Sequence, residues 1–153
     1  MKRLTINKKL TDGVLNVQLI GSIDEDADLS EILETKASHI NFDFNQVELI
    51  NSCGIREWIK FLDQLSCESV QYENCPQIII EQINMVHGFI RPGSRLKSFY
   101  APYYCEECDQ ERKSHIMSSD VKNKKAPKVN CPDCGNEMEF DALEASYFNF
   151  LGK

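Results

Sequence analysis

The sequence has little of what most enzymes need. It contains three histidines and one tryptophan, and none of the histidines opens the His-x-Glu pattern of the zinc deaminases. It has no glycine-rich phosphate loop, and it offers neither a paired-carboxylate site nor a Ser/Cys–His–Asp set in a suitable context. We therefore expect a protein that is not an enzyme.

Long apolar runs are also lacking. No stretch approaches the length of a membrane span, and the first four residues do not open a signal peptide. With 42% hydrophobic and 27% charged residues among 153, the composition is that of a globular protein with one ordinary domain and a small appendage. We expect a soluble, cytoplasmic protein that makes no contact with membranes.

Basic residues are scarce as well. The chain has 17 Lys and Arg against 24 Asp and Glu, and the excess of acid is shared between residues 1–98 and residues 99–153. Because neutralisation of phosphates supplies most non-specific affinity for nucleic acids, we expect no nucleic-acid partner. A local exception is the Lys122–Lys128 segment, which holds four lysines. A solvated loop explains it, and a nucleic-acid-associated protein that uses this loop is the alternative function.

What the sequence does contain is cysteine. Four of its seven cysteines form two C-x-x-C pairs, Cys105 with Cys108 and Cys131 with Cys134, and 22 residues separate the pairs. This spacing is typical of a structural zinc site, since each pair offers two thiolates to one tetrahedral ion. Four sulfur ligands leave no open coordination position, so we predict a structural rather than a catalytic Zn²⁺. The other three cysteines are isolated, as expected in a reducing cytosol.

The pattern of residues divides the chain near an Arg-Pro-Gly-Ser sequence at residues 91–94. Before this point strand-like and helix-like segments alternate, which predicts an α/β fold with a mixed sheet and helices on one face. The clearest helix runs from Ile55 to Leu65, and a second one runs from Pro76 to Val86. We predict a first domain over residues 1–100 and a small zinc ribbon over residues 101–153.

The ribbon is predicted to begin in a strand and to end in a helix. Residues 96–104 read as the last strand of the sheet, leading directly into the first cysteine pair. After the second pair, apolar residues recur at helical spacing at Leu143, Tyr147, Phe148 and Leu151. We expect this tail to form a short helix that packs on a neighbouring element. Alternatively it docks on a second subunit and forms a homo-oligomer.

The segment Asn51-Ser52-Cys53-Gly54 opens the clearest helix. Ser52 is well placed to be the N-cap, because its hydroxyl could accept from free N–H groups of the first turn. The same position would suit a phosphoserine, since a phosphate at a helix N-terminus meets the positive end of the helix dipole. The residues alone leave both interpretations open.

Two motifs resemble those of STAS domains, the anti-sigma factor antagonist superfamily. Gly21-Ser22-Ile23-Asp24 is similar to the family's G-x-[IL]-D signature. The segment from Val47 to Ile55 is similar to the family's segment ending in [ILVM]-D-S-[ST]-G-[IL], with Asn51 in place of the Asp. The resemblance covers roughly residues 1–100. It implies a mixed sheet of four or five strands with helices on one face.

The resemblance also implies a role for individual residues. In bacterial members, an anti-sigma factor that is also a kinase phosphorylates the serine that matches Ser52, and the unphosphorylated form binds that kinase. Asn51, Ser52, Cys53 and Gly54 are then the candidate partner-binding residues. The family domain usually closes with another helix, and we expect the ribbon to cover that surface here. The expected function is a signalling adaptor whose partner is a kinase, an anti-sigma-like factor or another signalling protein.

Overall fold

The computed structural model describes residues 3–152, which form two β-sheets and four α-helices. The strands of the first sheet are β1 (Thr5–Thr11), β2 (Val14–Ile23), β3 (His39–Ile50), β4 (Ser69–Glu73) and β5 (Arg95–Leu96). Those of the second are β6 (Ser98–Cys105), β7 (Gln110–Met117) and β8 (Glu139–Phe140). The helices are α1 (Ser30–Leu33), α2 (Ser52–Gln64), α3 (Gln77–Met85) and α4 (Glu144–Tyr147). Within the described part of the chain, no helix is long and apolar enough to cross a membrane.

The first sheet is mixed and has the strand order β1-β2-β3-β4-β5. Strands β1 and β2 form an antiparallel hairpin whose turn consists of Asp12 and Gly13, with φ of 51° and 81°. An Asp-Gly pair tolerates these positive values, and a turn of this kind matches the twist of the two strands. Strands β2 to β5 run parallel to one another. The predicted α/β fold with a mixed sheet is confirmed.

One face of the first sheet carries the core. Ile40, Phe42 and Phe44 of β3 are buried, whereas the residues between them are only half buried, because successive side chains of a strand point to opposite faces. Helix α2 packs on the buried face, where the rings of Trp58 and Phe42 meet edge to face with centroids 5.0 Å apart. The side chain of Phe61, one turn further along α2, also contacts Phe42.

The single tryptophan fixes α2 to the core through hydrogen bonds as well as packing. Its Nε1–H donates to the hydroxyl of Tyr72 at 2.9 Å and to the carbonyl oxygen of Phe89 at 3.2 Å. The Tyr72 hydroxyl donates to the same carbonyl at 2.7 Å. Burial raises the pKa of Tyr72, so the phenol keeps the proton that it donates. The polar atoms of both buried side chains therefore have partners.

The chain passes from the first sheet to the second at Lys97. Its N–H donates to the carbonyl of Tyr72 in the first sheet at 2.8 Å. From Ser98 onward the backbone pairs with β7 and β8, in the order β7-β6-β8, while the Ser98 carbonyl accepts from Cys75 at 3.2 Å. The prediction of one sheet strand over residues 96–104 is therefore wrong, because the backbone on either side of Lys97 bonds to different strands.

The C-terminal tail packs on α3 and β6 of the same chain. The ring of Phe99 in β6 lies 6.0 Å from that of Phe148 and 5.2 Å from that of Phe150, between centroids. The side-chain amide of Asn84 in α3 donates to the Tyr147 carbonyl at 3.0 Å. The buried side chains thus form one hydrophobic core that extends from the first sheet into the second. The two predicted units, residues 1–100 and 101–153, both contribute to this core.

The predicted apolar stripe of the tail is only partly correct. Tyr147 and Phe148 are buried as expected, but Leu143 is 76% exposed and Phe150, which the stripe does not include, is buried. Helix α4 ends after four residues, and a 3₁₀ helix, Phe148–Gly152, follows it. The tighter winding changes which side chains share a face.

Candidate metal centre and the start of helix α2

Two turns bring the four cysteines of the C-x-x-C pairs together. Cys105 ends β6, and Cys108 lies in the turn that leads into β7. All four sulfur atoms lie within 4.8 Å of one another. The Sγ–Sγ distance is 3.4 Å between Cys105 and Cys134 and 3.9 Å between Cys108 and Cys131. The two pairs therefore form a single site, as their spacing predicts.

Backbone hydrogen bonds shape both turns. In the first, the N–H of Cys108 points to the sulfur of Cys105 at 3.5 Å. In the second, the N–H of Gly135 donates to the carbonyl of Cys131 at 2.9 Å, and Gly135 has φ of 79°, a conformation that costs glycine little. All seven cysteines of the chain are free thiols, so the turns and not disulfides hold the sulfurs close.

The four thiols control one another's protonation. Backbone N–H groups of Cys134 and Asp133 lower the pKa of Cys131 to about 6. By contrast, the neighbouring thiols of Cys134 and Cys105 raise the pKa of Cys108 to about 12. Adjacent thiolates repel one another, so all four can lose their protons together only around a cation. The cluster is thus chemically suited to a metal ion.

The geometry of the cluster also suits a tetrahedral ion. If each sulfur lies about 2.3 Å from the ion, a regular tetrahedron places the sulfurs about 3.8 Å apart. Two of the distances between the pairs, 3.4 and 3.9 Å, lie close to this value. Four cysteine ligands could therefore hold one metal ion, and they would leave it no free position for a substrate.

Arg112 of β7 reaches the second cysteine turn, a contact that no pattern in the sequence indicates. Its guanidinium forms an ion pair with Asp133 and donates from Nη2 to the side chain of Gln110 at 3.0 Å. Its Nε is buried and has no hydrogen-bond partner among residues 3–152. Burial lowers the pKa of Arg112, but the charges of Asp133 and Cys131 outweigh burial and raise the pKa overall.

The second candidate site is the start of α2, which Asn51 caps. Asn51 has an extended backbone, with φ of −116° and ψ of 180°, and its side-chain oxygen accepts from the N–H of Gly54 at 2.8 Å. Ser52 is the first residue of the helix. The prediction of Ser52 as the N-cap is therefore wrong by one residue, because Asn51 already provides the acceptor. The Ser52 side chain is left exposed.

Gly54 brings the start of α2 against the end of β2. A Cβ at this position would lie 1.8 Å from the carbonyl oxygen of Ile23 and 2.4 Å from its carbonyl carbon. The backbone N–H of Asn51 also donates to the Ile23 carbonyl, at 3.3 Å. The segments 21–24 and 51–54, which are distant in sequence, therefore meet at one edge of the first sheet.

The carboxylate of Glu25 also lies at this edge of the sheet. The side-chain amide of Asn51 donates to Glu25 Oε2 at 2.9 Å, and this hydrogen bond lowers the pKa of the Glu25 carboxyl. Ser52 and Cys53 lie beside the pair and are both exposed. Of the four predicted partner-binding residues, these two are accessible, while Asn51 is half buried and Gly54 is buried.

Three of the four lysines of the alternative function, Lys122, Lys124 and Lys125, lie in one tight turn, and Lys128 follows it. Lys122 and Lys125 pair across a two-residue turn whose φ values are 54° and 57°. Two of the lysines lie 3.9 Å from a glutamate, Lys125 from Glu144 and Lys128 from Glu137. These carboxylates offset part of the positive charge of the segment.

No family model matches this sequence, and no curated protein matches it significantly. Two sites of the chain bear on its function. One is a closed set of four sulfur ligands, and the other is an exposed serine at the start of a helix that packs directly on the sheet.

Proposed function

We propose that the chain is a non-enzymatic regulatory adaptor that resembles STAS domains and binds a protein partner through the start of α2. The observation that carries the proposal is the meeting of segments 21–24 and 51–54, which carry the two motifs of the resemblance. Their contact leaves Ser52 and Cys53 exposed on a fixed backbone. The strand order and the mixed directions of the first sheet are compatible with the resemblance.

Ser52 is the proposed switch of the adaptor. A phosphate there would meet the positive end of the α2 dipole and the free N–H groups of the first turn. It would also add a charge of about −2 beside Glu25, whose carboxylate is bound to Asn51. Repulsion between the phosphate and this carboxylate would release Asn51 from Glu25. The modification would thus change both the charge and the shape of the surface that a partner meets.

We propose that the ion held by the four cysteines is Zn²⁺ and that its role is structural. Zinc is almost always four-coordinate and tetrahedral in structural sites, and it is commonly bound by four thiolates in small ribbons. The two turns hold the four sulfur ligands close together. One cysteine of each pair is buried, Cys105 in the first and Cys131 in the second. The ion would tie β6 to the segment that leads into β8 and the tail.

The test compares Ser52→Ala, Ser52→Asp and Ser66→Asp as bait for partners in extracts of the native cells. Ser66 is exposed just beyond the other end of α2, so its substitution adds the same charge at a distance from the site. We expect Ser52→Ala and Ser66→Asp to retain the wild-type partner and Ser52→Asp to lose at least about tenfold in affinity, which corresponds to about 1.4 kcal/mol.

Equal retention by Ser52→Asp and Ser66→Asp would contradict the switch. Intact-mass measurement of the chain from the same cells would show whether it carries phosphate and zinc. Binding that instead depends on the Lys122–Lys128 segment and weakens steeply with added salt would support the nucleic-acid alternative.

A further inference from the structure

The surroundings of the cysteine cluster are rich in negative charge. The two turns, residues 105–112 and 130–135, contain five acidic residues, Glu106, Glu107, Asp109, Glu111 and Asp133. Arg112 is the only basic residue of these segments. A divalent ion with four thiolates is itself a dianion. A metal-loaded centre would therefore place its excess charge among carboxylates, and Arg112 is the cation within the two turns that can offset it.

Two contacts fix the position of the Arg112 guanidinium beside the cysteine cluster. Its ion pair with Asp133 reaches the second cysteine turn, and its bond to Gln110 at 3.0 Å fixes it to its own strand. The side chain is 25% exposed, whereas that of Asp133 is 64% exposed. The Nε–H is buried and has no acceptor at all in the described part of the chain, and the charge of Cys131 is one of the groups that raise the pKa of Arg112.

We infer that Arg112 is a positioning residue of the metal centre: its Nη2 holds Asp133, and its unpartnered Nε–H donates to the sulfur of Cys131 when the cluster holds a metal ion. Nitrogen–hydrogen donation to a metal-bound thiolate stabilises the negative sulfur, and the guanidinium charge offsets the dianion. The fork of the guanidinium suits two acceptors at a fixed angle, which an ammonium group does not match. Partners of this kind typically change metal affinity by about 10- to 100-fold.

This inference goes beyond the adaptor function and rests only on the proposed occupancy of the cysteine cluster by a metal. Lys113 provides a matched control. It is the next residue of the same strand, and its ammonium pairs with Glu111 at 2.6 Å and with Gln77, away from Cys131. Lys113→Gln and Arg112→Gln therefore remove the same charge from adjacent positions, but only the second removes a donor from the sulfur.

The experiment titrates the full metal-free chain with Co²⁺ and follows the sulfur-to-cobalt charge-transfer band. We expect one Co²⁺ per chain, an affinity at least about tenfold lower for Arg112→Gln than for the wild type, and a change of less than about threefold for Lys113→Gln. Arg112→Lys should lie between the wild type and Arg112→Gln because it restores the charge without the fork.

The position of the band separates donation to sulfur from general stabilisation. An N–H donor lowers the energy of the sulfur lone pair, so its loss in Arg112→Gln should move the charge-transfer band to longer wavelength, while Lys113→Gln should leave it in place. The rate at which a chelator removes Co²⁺ from the loaded chain is measured in parallel. This rate depends on the folded, metal-bound state and not on the refolding of the metal-free chain.

Equal affinities and equal band positions for Arg112→Gln and Lys113→Gln would overturn the inference but leave the metal site standing. A wild-type chain that takes up neither Co²⁺ nor Zn²⁺ would overturn both. A loss of affinity in Arg112→Gln without a shift of the band would also overturn it, because the residue would then act on the fold rather than on the sulfur.

Discussion

Gly54→Ala is expected to destabilise the protein although alanine is the better helix former. Gly54 lies in the first turn of α2, and its missing side chain allows the helix to touch the end of β2. The new Cβ would meet the Ile23 carbonyl oxygen at 1.8 Å and its carbon at 2.4 Å. Both atoms belong to the backbone, so no side chain can rotate to relieve the contact.

Two opposing effects set the magnitude. Alanine in place of glycine inside a helix stabilises it by up to about 1 kcal/mol. Overpacking of a close contact typically costs about 1–3 kcal/mol, and the upper end applies here because α2 or the end of β2 must move. The net expectation is a loss of about 2 kcal/mol in the free energy of unfolding, which lowers Tm by about 4–8 °C for a chain of this size.

Urea unfolding followed by tryptophan fluorescence measures this loss. Trp58 is the one tryptophan of the chain, is 0% exposed and lies one turn beyond Gly54 on α2. Cys53→Ala is the matched control because Cys53 precedes Gly54 in the same turn and is exposed. Its substitution should change stability by no more than about 0.5 kcal/mol. If Gly54→Ala were as stable as Cys53→Ala, the contact with β2 would not be as close as the structure has it.

Two further predictions concern the cap of α2 and the cysteine cluster. Asn51→Ala removes the acceptor for Gly54 and should cost about 1 kcal/mol in urea unfolding, whereas Asn51→Ser keeps an N-cap acceptor and most of the stability without adding a carboxylate beside Glu25; equal stability of Asn51→Ala and the wild type would exclude Asn51 as the cap. Metal removal by a chelator, or Cys131→Ser, should increase hydrogen exchange from about Cys105 onward and leave the emission maximum of Trp58 unchanged. A shift of that maximum on chelation would contradict a ribbon that loosens separately from α2.

The parts of the fold that could be predicted are those with a strong local pattern. The apolar stripe of α2 repeats at helical spacing, and Pro76 stands immediately before α3, where a helix can begin. The Asp12-Gly13 turn predicts the first hairpin because few other residues tolerate both positive φ values. The cysteine cluster could be predicted from spacing alone, since two C-x-x-C pairs at this separation are typical of a single four-cysteine metal site.

The parts that could not be predicted depend on contacts between distant residues. Residues 96–104 are extended throughout, and nothing local indicates that Lys97 separates two sheets. Asn51 and Ser52 are both good caps, and the choice depends on the backbone at the end of β3. Arg112 reaches Asp133 across 21 residues. A lone arginine in a strand has no pattern that distinguishes it from a solvated charge.

The distribution of aromatic residues gives the protein two separate optical signals. Tyr72 is hydrogen-bonded to Trp58, with ring centroids 6.1 Å apart, so its excitation passes to the indole. The other four tyrosines, Tyr100, Tyr103, Tyr104 and Tyr147, all lie in the second sheet or the tail. Tyrosine emission therefore reports on the metal-binding end, while tryptophan emission reports on α2. An unlabelled sample can thus show, in one titration, whether the two ends of the molecule respond together or one after the other.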